Sequence, residues 1–199
     1  MCLTDKAAPP RESPSNFVKT TPVNVDGRIV HILAMHPTPP TFDGPEDRNG
    51  KRNHDEIRLM ADYLTPERGE YIYDDSGEAV SLDADSRFVL VGDFNAADKG
   101  EKWRPGVIEQ LTENPLVNNS VIPVSDGGAE NSAEPFSNRF TAYWGARADY
   151  VLPSSFGFTV NANGVFWPSK QSPLFRLVKD REASSDHRLV WLDIMLTDD

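Results

Sequence analysis

The stretch FVLVGDFN, residues 88–95, constrains the fold more than any other part of this sequence. Its first four residues are apolar, and such a run is typical of a strand buried within a sheet. The run ends at Gly92, and a carboxylate, Asp93, and an amide, Asn95, follow it. A lone Asp or Asn at a strand end is most often a turn former. Two such side chains, two positions apart, also favour a functional site mounted on a rigid core strand.

Composition limits what this site can be. The 199 residues are enough for one domain with a sizeable core, and 38% hydrophobic with 26% charged residues is ordinary for a globular protein. The single cysteine, Cys2, excludes an intrachain disulfide, and no apolar run is long enough to cross a bilayer. The net charge of −11 does not attract phosphate backbones at long range, although a metal ion can supply local positive charge. The compartment stays open.

The pattern predicts a flexible, Pro-rich tail at residues 1–16 and one domain at residues 17–199. Asp26-Gly27 between two apolar runs predicts a β-hairpin. Residues 53–64 predict a helix that begins at an Asn53 cap. The rest of the pattern predicts a second hairpin at 71–82, a short helix at 104–114, an irregular stretch at 114–142 and three final strands. This order of elements indicates an α/β fold with a mixed sheet flanked by helices.

Polar side chains also stand at the ends of other predicted strands. His36 ends the strand of residues 28–35, Asp149 opens a later strand, and Asp186 and His187 precede the last one. Each of these residues alone is more often structural than functional. As a set they suit metal-assisted phosphoryl hydrolysis. That chemistry needs carboxylates for a hard cation, an amide for a phosphate oxygen and a His–Asp pair for proton transfer.

Four motifs in this order resemble those of the endonuclease/exonuclease/phosphatase superfamily. They are GDFNA at residues 92–96, RADYVLPS at 147–154, SSDHRLVWLDI at 184–194 and, in support, HPTPP at 36–40. GDFN followed by a DY strand, and then by SDH before a final strand, is a specific combination. The resemblance implies the DNase I-like α/β fold. In this four-layer sandwich, two mixed β-sheets pack face to face with helices outside.

The resemblance implies that two histidines carry the proton transfers. His187 would activate the attacking water, and Asp149 would accept a hydrogen bond from the other ring nitrogen of His187. His36 would sit opposite and donate to the phosphate or to the leaving group. The reaction implied is hydrolysis of a phosphoester bond without a covalent intermediate.

The resemblance also implies a divalent cation, Mg²⁺ or Mn²⁺, with Ca²⁺ as a third possibility. Asp186 and Asp93 would be its ligands, and Asp93 would otherwise orient the nucleophile. Asn95 would hold a phosphate oxygen. Arg52 is a candidate for contact with the substrate phosphate, although a solvated surface position is as typical of it. Trp144 is a further candidate for substrate binding, because it lies just before Asp149 in the sequence.

The segment DRNGKRNHDE partly matches a calcium-binding loop. Asp47, Asn49, Gly50 and Glu56 have the required spacing, but the first ligand position is Pro45 and no helix precedes it. We therefore interpret this segment as a polar loop.

The sequence ahead of His36 differs from the family pattern. That pattern begins with a strand carrying an Asn and continues to a Glu that is the main metal ligand. Here residues 17–35 contain Asn24 and no glutamate, and the only glutamate ahead of His36 is Glu12, in the Pro-rich tail. A strand–helix–strand unit, which needs roughly 30 residues or more, does not fit there. We therefore expect the C-terminal portion of the family's domain, weak Mg²⁺ binding, a low rate in isolation and an incompletely covered sheet that invites a homodimer.

The sequence does not identify which class of phosphoester such a hydrolase would cleave. The substrate is a nucleic acid, a lipid head group or a small phosphoester, because specificity lies in loops that contain no readable code. The acidic surface argues mildly against tight, nonspecific DNA binding. The alternative is a non-catalytic binding or scaffold module that retains the DNase I-like fold, or an inactive fragment of a longer enzyme.

Overall fold

The computed structural model describes residues 19–198. The first of its two sheets has four strands in the order β1, β2, β3 and β4, which are Lys19–Val25, Arg28–Ala34, Arg87–Asp93 and Asp149–Pro153. The β2–β3 pair is parallel and the other two pairs are antiparallel, so this sheet is mixed as predicted. The predicted tail at residues 1–16, and the predicted start of ordered structure at Phe17, lie outside the described residues.

The predicted first hairpin is confirmed. Strands β1 and β2 pair from Lys19 with Ala34 to Val25 with Arg28. The turn between them has positive φ at both central residues, 51° at Asp26 and 83° at Gly27, which is the geometry that a two-residue hairpin loop requires.

Strand pairing brings three chain segments to one edge of the first sheet. Ala34 of β2 lies beside Val91 of the parallel strand β3, so both strands end at the same edge. Strand β4 runs the other way, and its first residue, Asp149, lies directly opposite Asp93. The residues that follow β2 and β3 therefore lie close to the residue that opens β4.

The second sheet consists of β5 (Phe158–Val165) and β6 (Val190–Leu196). It covers one face of the first sheet through an apolar layer made of Val30, Val89 and Phe158 with Ile32, Val91, Val151, Ile194 and Leu196. Within residues 19–198 this sheet is one antiparallel pair, so the expectation of two mixed sheets is correct for the first sheet only. Two large apolar side chains of β6, Trp191 and Met195, are exposed. A homodimer through this sheet stays a prediction.

Helix α1 (Arg48–Leu64) covers the opposite face of the first sheet. Its apolar side packs on alternate residues of the strands, in a core formed by Leu33, Leu90, Leu152, Ile57, Met60 and Leu64. The protein is thus a mixed α/β sandwich of the DNase I-like type, with a helix, a mixed sheet and a second sheet in successive layers.

The predicted start of helix α1 at Asn53 is wrong. The helix begins at Arg48, because the Asp43 carboxylate accepts hydrogen bonds from the backbone N–H groups of Asn49 (2.8 Å) and Gly50 (2.9 Å). Asn53 is buried inside the helix instead. The segment that partly matches a calcium-binding loop forms the first turns of this helix, so the open loop that calcium binding needs is not present.

The remaining elements are short. Helices α2 (Glu109–Thr112) and α3 (Asp126–Asn131) lie in the second half of the chain, and α3 falls in the stretch predicted as irregular. The predicted second hairpin consists of a single bridge between Tyr73 and Ala79. None of the helices between residues 19 and 198 is long and apolar enough to cross a membrane.

Candidate active site

One part of the site lies at the sheet edge where the parallel strands β2 and β3 both end. Nε2 of His36 lies 3.4 Å from Oδ2 of Asp93. Gly92 makes this approach possible: its φ is 146°, and a Cβ at this position would lie 2.0 Å from the carbonyl oxygen of Met35. Any larger residue at position 92 would push the two strand ends apart.

The two oxygens of Asp93 have different environments. Oδ1 accepts a hydrogen bond from the backbone N–H of Asn95 at 2.9 Å, which is the turn-forming role expected of such an Asp. Oδ2 faces His36. Asn95 adopts a left-handed conformation, with φ of 50°, and its side-chain Nδ2 donates to the carbonyl of Pro37 at 3.0 Å. This bond ties the end of β3 to the segment that carries His36.

Asp149 and His187 form the predicted pair. Nδ1 of His187 lies 3.0 Å from Oδ1 and 2.9 Å from Oδ2 of Asp149. The Thr141 hydroxyl accepts from the backbone N–H groups of Ala148 (2.9 Å) and Asp149 (3.0 Å), so its own proton points to Asp149 Oδ2 at 2.6 Å. Asp149 is therefore fixed from both sides before any substrate arrives.

Backbone pairing brings His187 to the sheet edge. The carbonyl of Thr141 accepts from the N–H of Arg188 at 2.7 Å, and the N–H of Tyr143 donates to the carbonyl of Asp186 at 2.8 Å. This short ribbon places Nε2 of His187 3.8 Å from Oδ2 of Asp93. The ring nitrogen that does not face Asp149 thus points toward the carboxylate at the end of β3.

Trp144 lies in the turn that follows Thr141 along this ribbon. Its ring meets the His187 ring edge to face, with 6.1 Å between the ring centres. Its surface is 43% exposed, so one side of the ring remains open to solvent beside the histidine. This position agrees with contact to a bound substrate.

His187 and Asp93 of the site both have raised pKa values. The hydrogen bond to Asp149 raises the pKa of His187, burial opposes this, and the charges of Asp149, Asp93 and Asp186 add to the increase. Burial raises the pKa of Asp93, and the Asp149 charge adds to it, while the Asn95 N–H and both histidines lower it. Asp93 is therefore a carboxylate that lacks sufficient positive charge nearby.

Among the sequence candidates, five lie together at this edge: His36, Asp93, Asn95, Asp149 and His187. Asp186 is not part of the group of close ligand atoms that Asp93, Asp149 and His187 form, so its convergence with Asp93 on a cation stays a prediction. Its Oδ1 lies 3.3 Å from Nη2 of Arg181, and its side chain lines a cavity of about 210 Å³.

Arg52 lies on helix α1 rather than at the strand ends. Its Nε donates to Oε1 of Glu56 at 2.8 Å, and the Glu56 carboxylate accepts from the N–H of Thr38 at 2.6 Å. Thr38 follows the His36–Pro37 segment in the chain, so Arg52 is connected to the site indirectly. Contact between Arg52 and a substrate stays a prediction.

Three side chains offer ligand atoms that all lie within 4.8 Å of one another: Asp93, Asp149 and His187. The Asp149 carboxylate already accepts from His187 and Thr141, so Asp93 is the available anionic ligand. Mg²⁺ keeps several waters and binds proteins through one or two carboxylates plus substrate phosphate. The desolvated Asp93 carboxylate fits such a weakly held divalent cation, because the cation supplies the charge that this carboxylate lacks.

Two structural contributors to the site were missed at the sequence level. Thr141 could not be found, because no spacing rule links a threonine to an Asp eight positions later. Asn53 did carry a signal: it precedes Ile57 by four residues and so lies on the apolar face of α1. Its Nδ2 donates to the carbonyls of Thr38 (2.9 Å) and Phe94 (3.0 Å), which holds the helix to both site loops.

Comparison with known proteins identifies the family. The model of the Endonuclease/Exonuclease/phosphatase family matches residues 9–187, and the chain belongs to this family. The activities in the family name all cleave phosphoester bonds, so phosphoesters are the general substrates of the family. No curated protein matches the sequence significantly.

One solved structure shares the fold, and others match it more weakly. An endonuclease/exonuclease/phosphatase from Beutenbergia cavernae DSM 12333 is 22% identical with a TM-score of 0.54, and the match covers 89% of this chain and 38% of that one. Sphingomyelinase C from Streptomyces griseocarneus is 12% identical with a TM-score of 0.43, covering 87% and 52%. A magnesium-bound beta toxin mutant from Staphylococcus aureus is 10% identical with a TM-score of 0.44, covering 87% and 52%. The chain thus spans between 38% and 52% of the length of these proteins.

Proposed function

We propose that this chain carries the general base, and the carboxylates around it, of a divalent-metal-dependent phosphoester hydrolase. The observation that supports this most directly is the His187–Asp149 pair, whose free ring nitrogen faces Asp93 at 3.8 Å. A histidine with a raised pKa, fixed in one tautomer and with Nε2 available, can take a proton from water.

In the proposed reaction, His187 removes a proton from water at Nε2 while the water oxygen forms a bond to phosphorus. Asp149 keeps the proton on Nδ1 and stabilises the imidazolium that forms. The ester P–O bond then breaks, and the leaving oxygen takes a proton from His36. His36 suits this role because its side chain is largely exposed while Nε2 remains within 3.4 Å of Asp93.

Asp93 would hold the cation, which is Mg²⁺ or Mn²⁺ in this proposal, with Ca²⁺ as a third candidate. When bound, such an ion neutralises charge on the phosphoryl oxygens. The need for it follows from the charge of the chain, because a protein with a net charge of −11 otherwise offers little compensation to a phosphate.

Two side chains are proposed to contact the substrate directly. Asn95 has one amide proton committed to Pro37, and its second is available to a phosphate oxygen. The open face of Trp144 lies beside His187 and suits an apolar or aromatic group attached to the phosphate. Neither contact distinguishes a phosphodiesterase or nuclease from a phosphatase.

The test uses the complete gene product that contains this sequence. We would assay bis(p-nitrophenyl) phosphate and p-nitrophenyl phosphate with Mg²⁺, Mn²⁺, Ca²⁺ or EDTA. His187→Gln should lower kcat by about 10²–10⁴-fold, the range for loss of general-base catalysis. His54→Gln, a change at a partly exposed histidine on helix α1, should leave kcat unchanged.

A His187→Gln variant that keeps the wild-type rate would overturn the proposal. Metal-independent hydrolysis would overturn its cation component. Binding of a phosphodiester without any turnover in the complete protein would favour the non-catalytic binding module instead.

A further inference from the structure

An ion-pair cluster lies just behind the site and has no role in the reaction described above. Oδ2 of Asp98 accepts from Nη1 of Arg139 at 2.9 Å and from Nη1 of Arg147 at 3.1 Å. The Asp98 side chain is 13% exposed and that of Arg147 only 3%. We name these three residues the Asp98 cluster.

The cluster joins the loop after β3 to the segment before β4. Asp98 ends the loop that begins at Asp93, and Arg147 precedes Asp149 by two residues. Arg139 lies two residues before Thr141, which holds the Asp149 carboxylate. One carboxylate thus fixes three segments that each carry a part of the site.

Further contacts secure the same junction. The guanidinium of Arg147 lies 4.3 Å above the ring centre of Tyr150, and the Tyr150 hydroxyl donates to the carbonyl of Ala96 at 2.7 Å. The rings of Phe94 and Tyr150 stack with their centres 5.0 Å apart, and the Phe94 N–H donates to the carbonyl of Ala148 at 2.7 Å. The loop between Asp93 and Asp98 is therefore packed firmly on β4.

We propose that the Asp98 cluster positions Asp93 and Asn95 relative to the His187–Asp149 pair. The proposal rests on the proposed function, since it assigns these residues a part in the same reaction. Asp98, Arg139 and Arg147 touch no reacting atom, so they are positioning residues. A displacement of about 1 Å at a reacting group can cost about 10²-fold in rate.

The chemistry of the cluster favours positioning over stability alone. Burying a charged pair costs solvation, and well-packed apolar residues are often at least as stable in its place. Within the described residues, Oδ1 of Asp98 is buried without a hydrogen-bond partner, which is a further cost. The cluster fixes the position of the loop of residues 93–98, because two guanidinium groups that converge on one oxygen restrict where this loop can lie.

The experiment measures kcat and KM of Asp98→Asn and Arg147→Lys in the complete gene product. Both variants should lower kcat by about 10–100-fold, with KM within about threefold of wild type, because geometry at the reacting centre is lost while substrate contacts remain. Asp47→Asn is the matched control. It makes the same change in the ion pair of Asp47 with Arg104 (2.9 Å), at the start of helix α1, and should leave kcat unchanged.

Conservative variants separate positioning from folding. Asp98→Glu should recover more of kcat than Asp98→Asn, because it keeps the charge. The Asp98→Asn/Arg147→Gln double variant should be no slower than the slower single variant, as expected for two residues that act as one unit. If Asp98→Asn does not fold, Arg139→Gln tests the same point, since it leaves the Asp98–Arg147 contact in place and should lower kcat by a smaller factor.

Each remaining result decides the matter. Asp98 and Arg139 variants with a lower unfolding midpoint but a wild-type kcat per folded molecule would show that the cluster is structural only. A His187→Gln variant with a wild-type rate would remove the proposed function, and the positioning role with it. Loss of activity in His187→Gln together with wild-type kcat in Asp98→Asn would overturn the positioning role alone.

Discussion

Asp186 and His187 are neighbours in the sequence but lie in very different surroundings. His187 is held by Asp149, which is fixed by Thr141; Thr141 and His187 lie on the short ribbon, and Asp149 opens β4. The Asp186 carbonyl belongs to the same ribbon, but its carboxylate contacts Arg181, whose side chain is 80% exposed. Contacts at the strand edge therefore fix the His187 ring, whereas an exposed, flexible arginine holds the Asp186 carboxylate.

This contrast separates what the motif predicts from what the fold imposes. The SDH motif predicts that both Asp186 and His187 act in the site. In the folded chain, however, the His187 ring pairs with Asp149 while the Asp186 carboxylate pairs with Arg181, so neighbours in a motif can have different partners. The strand edge is therefore the more reliable guide to chemistry, and the loop must be tested residue by residue.

The largest effect is expected from a substitution that disrupts the His187–Asp149 pair. Asp149→Asn should lower kcat of the complete gene product by about 10²–10⁴-fold, because an amide at this position can donate to Nδ1 and stabilises the tautomer with the proton on Nε2. Asp193→Asn, on the exposed side of β6, is the matched control. Equal rates for Asp149→Asn and wild type would show that His187 does not act through this pair.

The second effect compares the two candidate ligands directly. Titration of Mn²⁺ and Mg²⁺ into the 199-residue chain should show binding that is weaker than micromolar, because Asp149, the carboxylate grouped with Asp93, already accepts hydrogen bonds from His187 and Thr141. Asp93→Asn should weaken Mn²⁺ binding by at least about tenfold, whereas Asp186→Asn should change it by less than about threefold.

The opposite ranking would restore Asp186 as the main ligand and show that its contact with Arg181 opens when the ion binds. Micromolar affinity together with His187-dependent turnover on the order of 1–10³ s⁻¹ would contradict the expected weakness of this chain as an enzyme.

Much of the fold and part of the site could be predicted from sequence because they depend on local patterns. The apolar run before Asp93, the Asp26-Gly27 turn and the strand that opens at Asp149 each leave a short-range signal. Parallel pairing of β2 with β3 then brings His36 to Asp93 without further information.

The rest depends on contacts between distant residues. Asp98 meets Arg147 across 49 positions, and Asp43 caps a helix whose start the spacing places at Asn53. Single-sequence patterns carry no trace of such pairs. The position of the Asp186 backbone likewise depends on its hydrogen bond with Tyr143, which forms only in the folded protein.

The third effect tests how firmly the strand edge is built. Thr141→Val should lower the free energy of unfolding by about 1–3 kcal/mol, because the buried N–H groups of Ala148 and Asp149 lose their acceptor. Thr141→Ser keeps the hydroxyl and should retain most of the stability. Urea unfolding of the 199-residue chain measures both, and equal stability of the Val variant would mean that Asp149 is held without Thr141.

The smallest effect is a dependence of stability on pH, and its sign follows from His187. The folded-state pKa of this histidine is raised above its ordinary value of 6.5, chiefly by the hydrogen bond to Asp149. Its contribution to stability is therefore fully present below pH 6.5 and is lost as the pH rises through the folded-state pKa. In EDTA, the stability difference between wild type and His187→Gln should shrink from mildly acidic to alkaline pH. A difference that grows with pH would mean that Asp149 does not favour the charged ring.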